Sequence, residues 1–263
     1  VEGGSRAFEI PGSDTIMNEL ACTKISAPST DKTDITMQIH DINTGYEPIC
    51  GFRIKSELGS APTLLNASGA TNFVYEVSGI SDELAEQINA IDSKTKILDR
   101  IQMITENGTM KYSHMKNKVF SGNLMLIDTY MEEIIAHLLL LYYQNQATDS
   151  DKLIRIIEEQ NPLGYPRKGI YAYKFKKFLC SIALGMMPSK EWDGHDEANG
   201  GYVIVKDNGE VLAYHIYNRD AFEKYLLNNT KFERGSTGKH GFATLYMENG
   251  KRYINLNLQI RFI

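Results

Sequence analysis

The sequence predicts a mixed α/β (α+β) protein, and three features of its order carry that reading. A strand–turn–strand pattern lies near the start, helical patterns fill the middle, and a second hairpin, a helix and a strand close the chain. Ser13-Asp14 caps a short helix through Met17 and Leu20. Thr33 to Asp41 alternates, with Ile35, Met37 and Ile39 on one face and Asp34, Thr36, Gln38 and His40 on the other. Asn43-Thr44-Gly45 is a turn signal, and Ile49 to Ser56 is the returning strand of a hairpin. A short run from Thr63 to Ala67 follows Gly59-Ser60-Ala61-Pro62, and Asn72 to Val77 reads as a further strand.

The middle is helical. Ser81 caps a helix over 81–104, and 123–146, 150–160 and Tyr171 to Met187 follow. Gly200-Gly201 opens a strand from Tyr202 to Lys206, Asp207-Asn208-Gly209 turns it, and Val211 to Tyr217 returns. Asp220 to Asn228 is a helix and Tyr253 to Phe262 a closing strand. The pattern is read as one domain, residues 1–263: a hairpin core over 30–80, a helical region over 81–190, and terminal strands with contact loops over 191–263.

Composition excludes several classes. With 42% hydrophobic and 23% charged residues the chain is globular, not disordered. Cys22, Cys50 and Cys180 fit neither a disulfide framework nor a zinc pattern, so they are read as reduced thiols of a cytoplasmic protein. The apolar run from His137 to Tyr143 is far shorter than the roughly 20 residues of a membrane span, and no signal peptide is visible. The net charge of −5 argues against non-specific coating of nucleic acid. Residues 228–263 reverse that sign, with Lys231, Arg234, Lys239, Lys251, Arg252 and Arg261 against Glu233 and Glu248.

The chemistry-bearing stretch is Lys32-Thr33-Asp34-Ile35-Thr36 with Gly51-Phe52-Arg53-Ile54-Lys55-Ser56. A turn centred on Thr44-Gly45 sets Asp34 roughly across from Lys55, so a carboxylate and an ammonium share one face of a hairpin. Phosphodiester cleavage uses such a pair. The carboxylate holds Mg²⁺ beside the Ile54 carbonyl, and the lysine orients or deprotonates the attacking water, or offsets the charge of the transition state. The plainer alternative is a partly exposed salt bridge worth ~0–1 kcal/mol.

These residues resemble the PD-(D/E)xK nuclease motif, with one departure: Arg53 stands where the second acid is expected. Glu57, two residues after Lys55, would share its face, and a carboxylate from elsewhere in the protein is the other option. The longer text, Gly51 to Ser68 with Thr71-Asn72-Phe73, resembles the HpaII family of type II restriction endonucleases. So do Trp192-Asp193-Gly194 with Gly200-Gly201-Tyr202, and the closing Leu256 to Phe262. The resemblance runs from about Phe8 to the end. It implies a restriction-endonuclease-like core, with a mixed β-sheet flanked by helices and a helical insertion. It also implies Mg²⁺ as cofactor and cleavage of double-stranded DNA at a short site, CCGG for the name-giving member. The chain starts at Val1 rather than Met, and the family's usual N-terminal region is absent from it, so it is read as lacking that region.

Other residues carry paired readings. Asn66, Thr71 and Asn72 either touch phosphates and base edges or serve as turn and cap residues. The loop from Thr230 to His240 either enters a DNA groove, through Lys231, Arg234, Lys239 and His240, or is a solvated surface loop; Arg261 is grouped with its cations. His195 with Asp193, Asp196 and Glu197 reads first as a surface loop and second as a metal site. The function expected is a Mg²⁺-dependent endonuclease, a homodimer by its class, working beside a cognate DNA methyltransferase without direct contact and away from membranes. The alternative is a site-specific DNA-binding module without catalysis, because of Arg53 or a missing segment.

Overall fold

The computed structural model describes residues 12–19, 33–38, 40, 42, 45–56, 61–206, 208–215, 218–235 and 242–263. In chain order the helices are α1 (Ser13–Glu19), α2 (Asp82–Ala90), α3 (Lys96–Asn107), α4 (Lys118–Ile127), α5 (Met131–Tyr143), α6 (Ser150–Gln160), α7 (Ile170–Leu184) and α8 (Arg219–Asn228). The strands are β1 (Ile35–Gln38), β2 (Ile49–Ser56), β3 (Thr63–Leu65), β4 (Asn72–Ser78), β5 (Thr109–Met115), β6 (Gly201–Val205), β7 (Val211–His215), β8 (Thr230–Phe232), β9 (Leu245–Glu248), β10 (Lys251–Asn257) and β11 (Ile260–Phe262). They form two compact units. The first draws on the stretch up to Pro62 and on Asp196–Arg219; the second takes Thr63–His195 and Asp220–Ile263. The mixed α/β class expected from the sequence is therefore the one observed.

The first unit holds one mixed sheet in the order β1-β2-β6-β7. β1 and β2 are antiparallel, β2 and β6 parallel, and β6 and β7 antiparallel. Both predicted hairpins are thus present, joined edge to edge. Two glycines permit close approach within the hairpins. Gly201 has φ +150°, and a Cβ there would run into the Tyr214 carbonyl. A Cβ at Gly51 would run into the Thr33 methyl.

The second unit holds two antiparallel sheets, β5-β4-β10-β9 and β3-β11-β8. Its core is apolar because α5 and α7 are apolar nearly all round. Ile134, Leu138, Phe175, Phe178 and Leu179 are buried completely. Burial of each such side chain stabilises the fold by about 1.5–3 kcal/mol.

Three boundaries differ from the sequence reading. The helix expected over 81–104 is broken between Ala90 and Lys96. The guanidinium of Arg100 donates to the Asn89 and Ile91 carbonyls, both at 2.7 Å, and so satisfies the exposed end of α2. The helix expected over 123–146 begins earlier, at Lys118, and breaks at Asp128, whose carboxylate accepts from the Tyr130 N–H at 2.9 Å. The closing strand is two strands, because β10 belongs to one sheet and β11 to the other. The seven-residue strand β5 and the short strands β8 and β9 are not marked in the sequence pattern. No described helix is long and apolar enough to cross a membrane.

Phe178→Ala is expected to lower stability by about 3–5 kcal/mol, because it leaves a cavity between helices that cannot close. Urea unfolding should show the midpoint falling with an unchanged slope.

Candidate active site

The antiparallel register pairs Ile35 with Phe52 and Thr36 with Gly51. Asp34, just before β1, is out of step with this ladder: its N–H donates at 2.8 Å to the carbonyl of Phe52, the residue already paired with Ile35. Arg53 and Lys55, two residues apart on β2, share one face of that strand, and Asp34 lies close enough to act on Lys55 electrostatically. The sequence reading sets Asp34 across from Lys55; the register instead brings this end of β1 to Phe52. Asp34 Oδ2 accepts the Ile54 N–H at 2.6 Å, which fixes the carboxylate beside the strand. No described residue hydrogen-bonds its other oxygen.

β2 is held on its second edge as well. Asn199 Oδ1 accepts the Gly51 N–H at 2.8 Å, and the Gly200 N–H donates to the Gly51 carbonyl at 2.8 Å. The parallel ladder then sets Arg53 beside Tyr202 and Lys55 beside Ile204. Both partners are only 1% exposed. This explains the electrostatics of Lys55. Desolvation pushes its pKa below the ordinary lysine value, Arg53 pushes it further down, and Asp34 pulls it back up. The sequence reading treated Arg53 only as a missing acid; its effect on Lys55 makes it a member of the same charge cluster.

A divalent cation fits part of this arrangement. Asp34 supplies a carboxylate whose outer oxygen is open, the type of oxygen ligand that Mg²⁺ takes. Among the described residues, however, no three or more His, Cys, Asp or Glu side chains gather around one point. Glu57 lies outside the described residues. The His195 backbone N–H donates to Asp193 Oδ1 at 3.0 Å and its ring Nδ1 stands 3.4 Å from the same oxygen, with both side chains largely exposed, the geometry of a surface loop.

The remaining candidates belong to the second unit. Asn66 is exposed just after β3. Thr71 and Asn72 are buried, with the packing of turn and cap residues. The Thr71 hydroxyl closes a capping box with Ser68, and Asn257 Nδ2 donates to Asn72 Oδ1 and to the Ser68 carbonyl, both at 2.7 Å. Tyr143 adds its hydroxyl, which donates to the Asn257 carbonyl at 3.0 Å. Lys231 pairs with Arg261 across β8 and β11. Arg234 is exposed beside Tyr142, whose hydroxyl is pushed up to about 12 by burial, against the opposing pull of Arg234. Lys239 and His240 lie outside the described residues.

Comparison with known proteins then gives the class. The chain is 43% identical over 264 residues to the type II restriction enzyme HpaII of Haemophilus parainfluenzae, covering 99% of this chain and 73% of that protein. No solved structure matches. The protein is thus a restriction endonuclease, a site-specific deoxyribonuclease acting on double-stranded DNA. Residues 2–262 match the HpaII restriction endonuclease family, and the chain belongs to it. Type II enzymes generally use a divalent metal.

Lys55 carries a stability cost that can be measured. Its folded pKa is lowered, so the unfolded chain holds the proton more tightly. The ammonium therefore destabilises the fold below its folded pKa, and the cost fades as pH rises to the unfolded value. Lys55→Met is expected to raise the melting temperature at neutral pH. In the same region, Asp34→Asn should lower the Lys55 pKa further, as read by NMR of the lysine ammonium.

Proposed function

We propose that Asp34 and Lys55 are the catalytic core of this endonuclease, with Mg²⁺ as the divalent ion. The observation that carries the assignment is the Asp34 carboxylate bonded to the Ile54 N–H, between Arg53 and Lys55, with Lys55 half desolvated. Asp34 and the Ile54 carbonyl would hold the ion, and Glu57 is the acid proposed to complete its shell. Bound there, the ion polarises the phosphoryl oxygen and acidifies water. Lys55 orients the attacking water, and its lowered pKa eases uptake of the proton that water loses. A P–O bond forms to that water as the bond to the leaving sugar oxygen breaks. Arg53, beside Lys55, offsets charge on the phosphoryl oxygens.

DNA contact is assigned to Asn66 and to the cations Lys231, Arg234, Lys239 and Arg261, with His240. Thr71 and Asn72, buried against Ser68 and Asn257, are given a structural role instead. The protein is proposed to act in the cytoplasm as a homodimer on a palindrome, both units serving one nuclease domain, beside a cognate methyltransferase. The duplex site is proposed to be CCGG-like.

The test is digestion of plasmid DNA with Mg²⁺, beside EDTA and variant controls. Lys55→Ala and Asp34→Asn are each expected to cut at least about a hundredfold more slowly, in line with loss of one positioned acid–base or electrostatic group. Normal cleavage by purified Lys55→Ala would overturn the assignment. Mapped ends would give the site.

A further inference from the structure

The three-stranded sheet of the second unit sorts its side chains sharply. Leu65, Phe232, Ile260 and Phe262 are each no more than 3% exposed. The alternate positions are polar. β11 pairs Arg261 with Lys231 on one side and with Thr63 on the other. The ladder runs one step further, because the Glu233 N–H donates to the Gln259 carbonyl at 3.0 Å. Period two then puts Arg261, Gln259, Lys231 and Glu233 on one face.

Their contacts are loose. Arg261 Nε stands 3.3 Å from Glu233 Oε2, yet this buried nitrogen makes no hydrogen bond. Arg261 Nη2 reaches Thr63 Oγ1 at 3.3 Å, and Gln259 Nε2 reaches Glu233 Oε2 at 3.2 Å. A well-formed guanidinium–carboxylate bond is nearer to 2.7–2.9 Å. The Arg261 and Glu233 side chains stay 31% and 36% exposed, which leaves both accessible to a ligand.

We propose that Arg261 and Glu233 together read one G·C base pair in the major groove, with Gln259 holding the carboxylate. This deepens the DNA-contact reading of Arg261 above and adds Glu233, which no part of that reading uses. A guanidinium donates to guanine O6 and N7, and a carboxylate accepts from the cytosine N4 amino group. Side by side, the two match both halves of a G·C edge. An A·T pair puts an amino group against the guanidinium and a carbonyl against the carboxylate, so both charges lose their partners. Since the two side chains neutralise each other, the pair adds discrimination with little non-specific pull on phosphates.

The experiment measures kcat/KM on duplexes carrying each single base-pair replacement of the mapped site, for the wild-type chain, Glu233→Gln and Arg261→Lys. The same duplexes are titrated for binding in EDTA. At one G·C position the variants should discriminate about ten- to a hundredfold less than the wild type, with the other positions unchanged. Replacing the guanine of that pair with 7-deazaguanine should weaken wild-type binding about tenfold and Arg261→Lys binding less, a test that does not depend on the Glu233 variant folding. A uniform loss with unchanged discrimination would mean a structural ion pair and would overturn the inference. So would a site made only of A·T pairs. Wild-type binding that discriminates without any cleavage would overturn the catalytic assignment and leave this one standing.

Discussion

The candidate active site depends on β2 being bonded along both edges. The antiparallel ladder to β1 and the parallel ladder to β6 each determine which face a residue takes. A slip of one residue would send Lys55 and Arg53 to the opposite face and away from Asp34. Several groups resist that slip. Gly51 admits the Thr33 methyl, Asn199 caps the Gly51 N–H, and the Asp34 carboxylate takes the N–H of Ile54. The last bond matters most, because the carboxylate is tied to the strand that carries the cations it faces. Two adjacent cations against buried tyrosine and isoleucine would otherwise be costly. Asp34 offsets part of that cost, and a polyanionic substrate would offset more.

A second polar system does structural work in the other unit. Thr71, Asn72, Ser68 and Asn257 share hydrogen bonds beneath the point where β10 gives way to β11. That crossover exposes backbone groups which neither sheet can pair. The Leu258 N–H goes to the Thr71 carbonyl, and the Asn257 amide covers the Ser68 carbonyl. A buried polar group is tolerated when its partners are supplied in this way. The network determines where β11 begins, and hence which face Arg261 takes.

Much of this was legible in the sequence, for identifiable reasons. Period-two alternation gave both hairpins of the first unit, and the turn position brought Asp34 back beside β2. The long signature gave the family. Three things were hidden. Helix breaks at Ile91 and Asp128 depend on tertiary partners, Arg100 for the first and Lys174 beside Asp128 for the second. Strands of three or four residues, such as β8 and β9, carry too short a pattern to register. Burial of Thr71 and Asn72 could not be read either, since the same residue types serve caps and base contacts equally well. Arg53 was visible only as an absence, because its influence on Lys55 needs the register and the burial of the neighbouring strand.

The charge distribution also bears on how a chain of net charge −5 can act on DNA. Several of its described cations stand against a carboxylate. Arg261 stands against Glu233, Lys177 against Glu223, and Lys174 against Asp128. Pairing of this kind weakens attraction to arbitrary duplex, since non-specific affinity grows with the number of phosphates neutralised. A correct base pair has to compete for groups already engaged with each other. It wins only where it supplies both halves of the exchange, an acceptor for the guanidinium and a donor for the carboxylate. A phosphate supplies one half and leaves the carboxylate repelled. The paired charges thus favour recognition of a particular edge over general adhesion, which is the balance a site-specific nuclease needs when nearly all the DNA it meets is the wrong sequence.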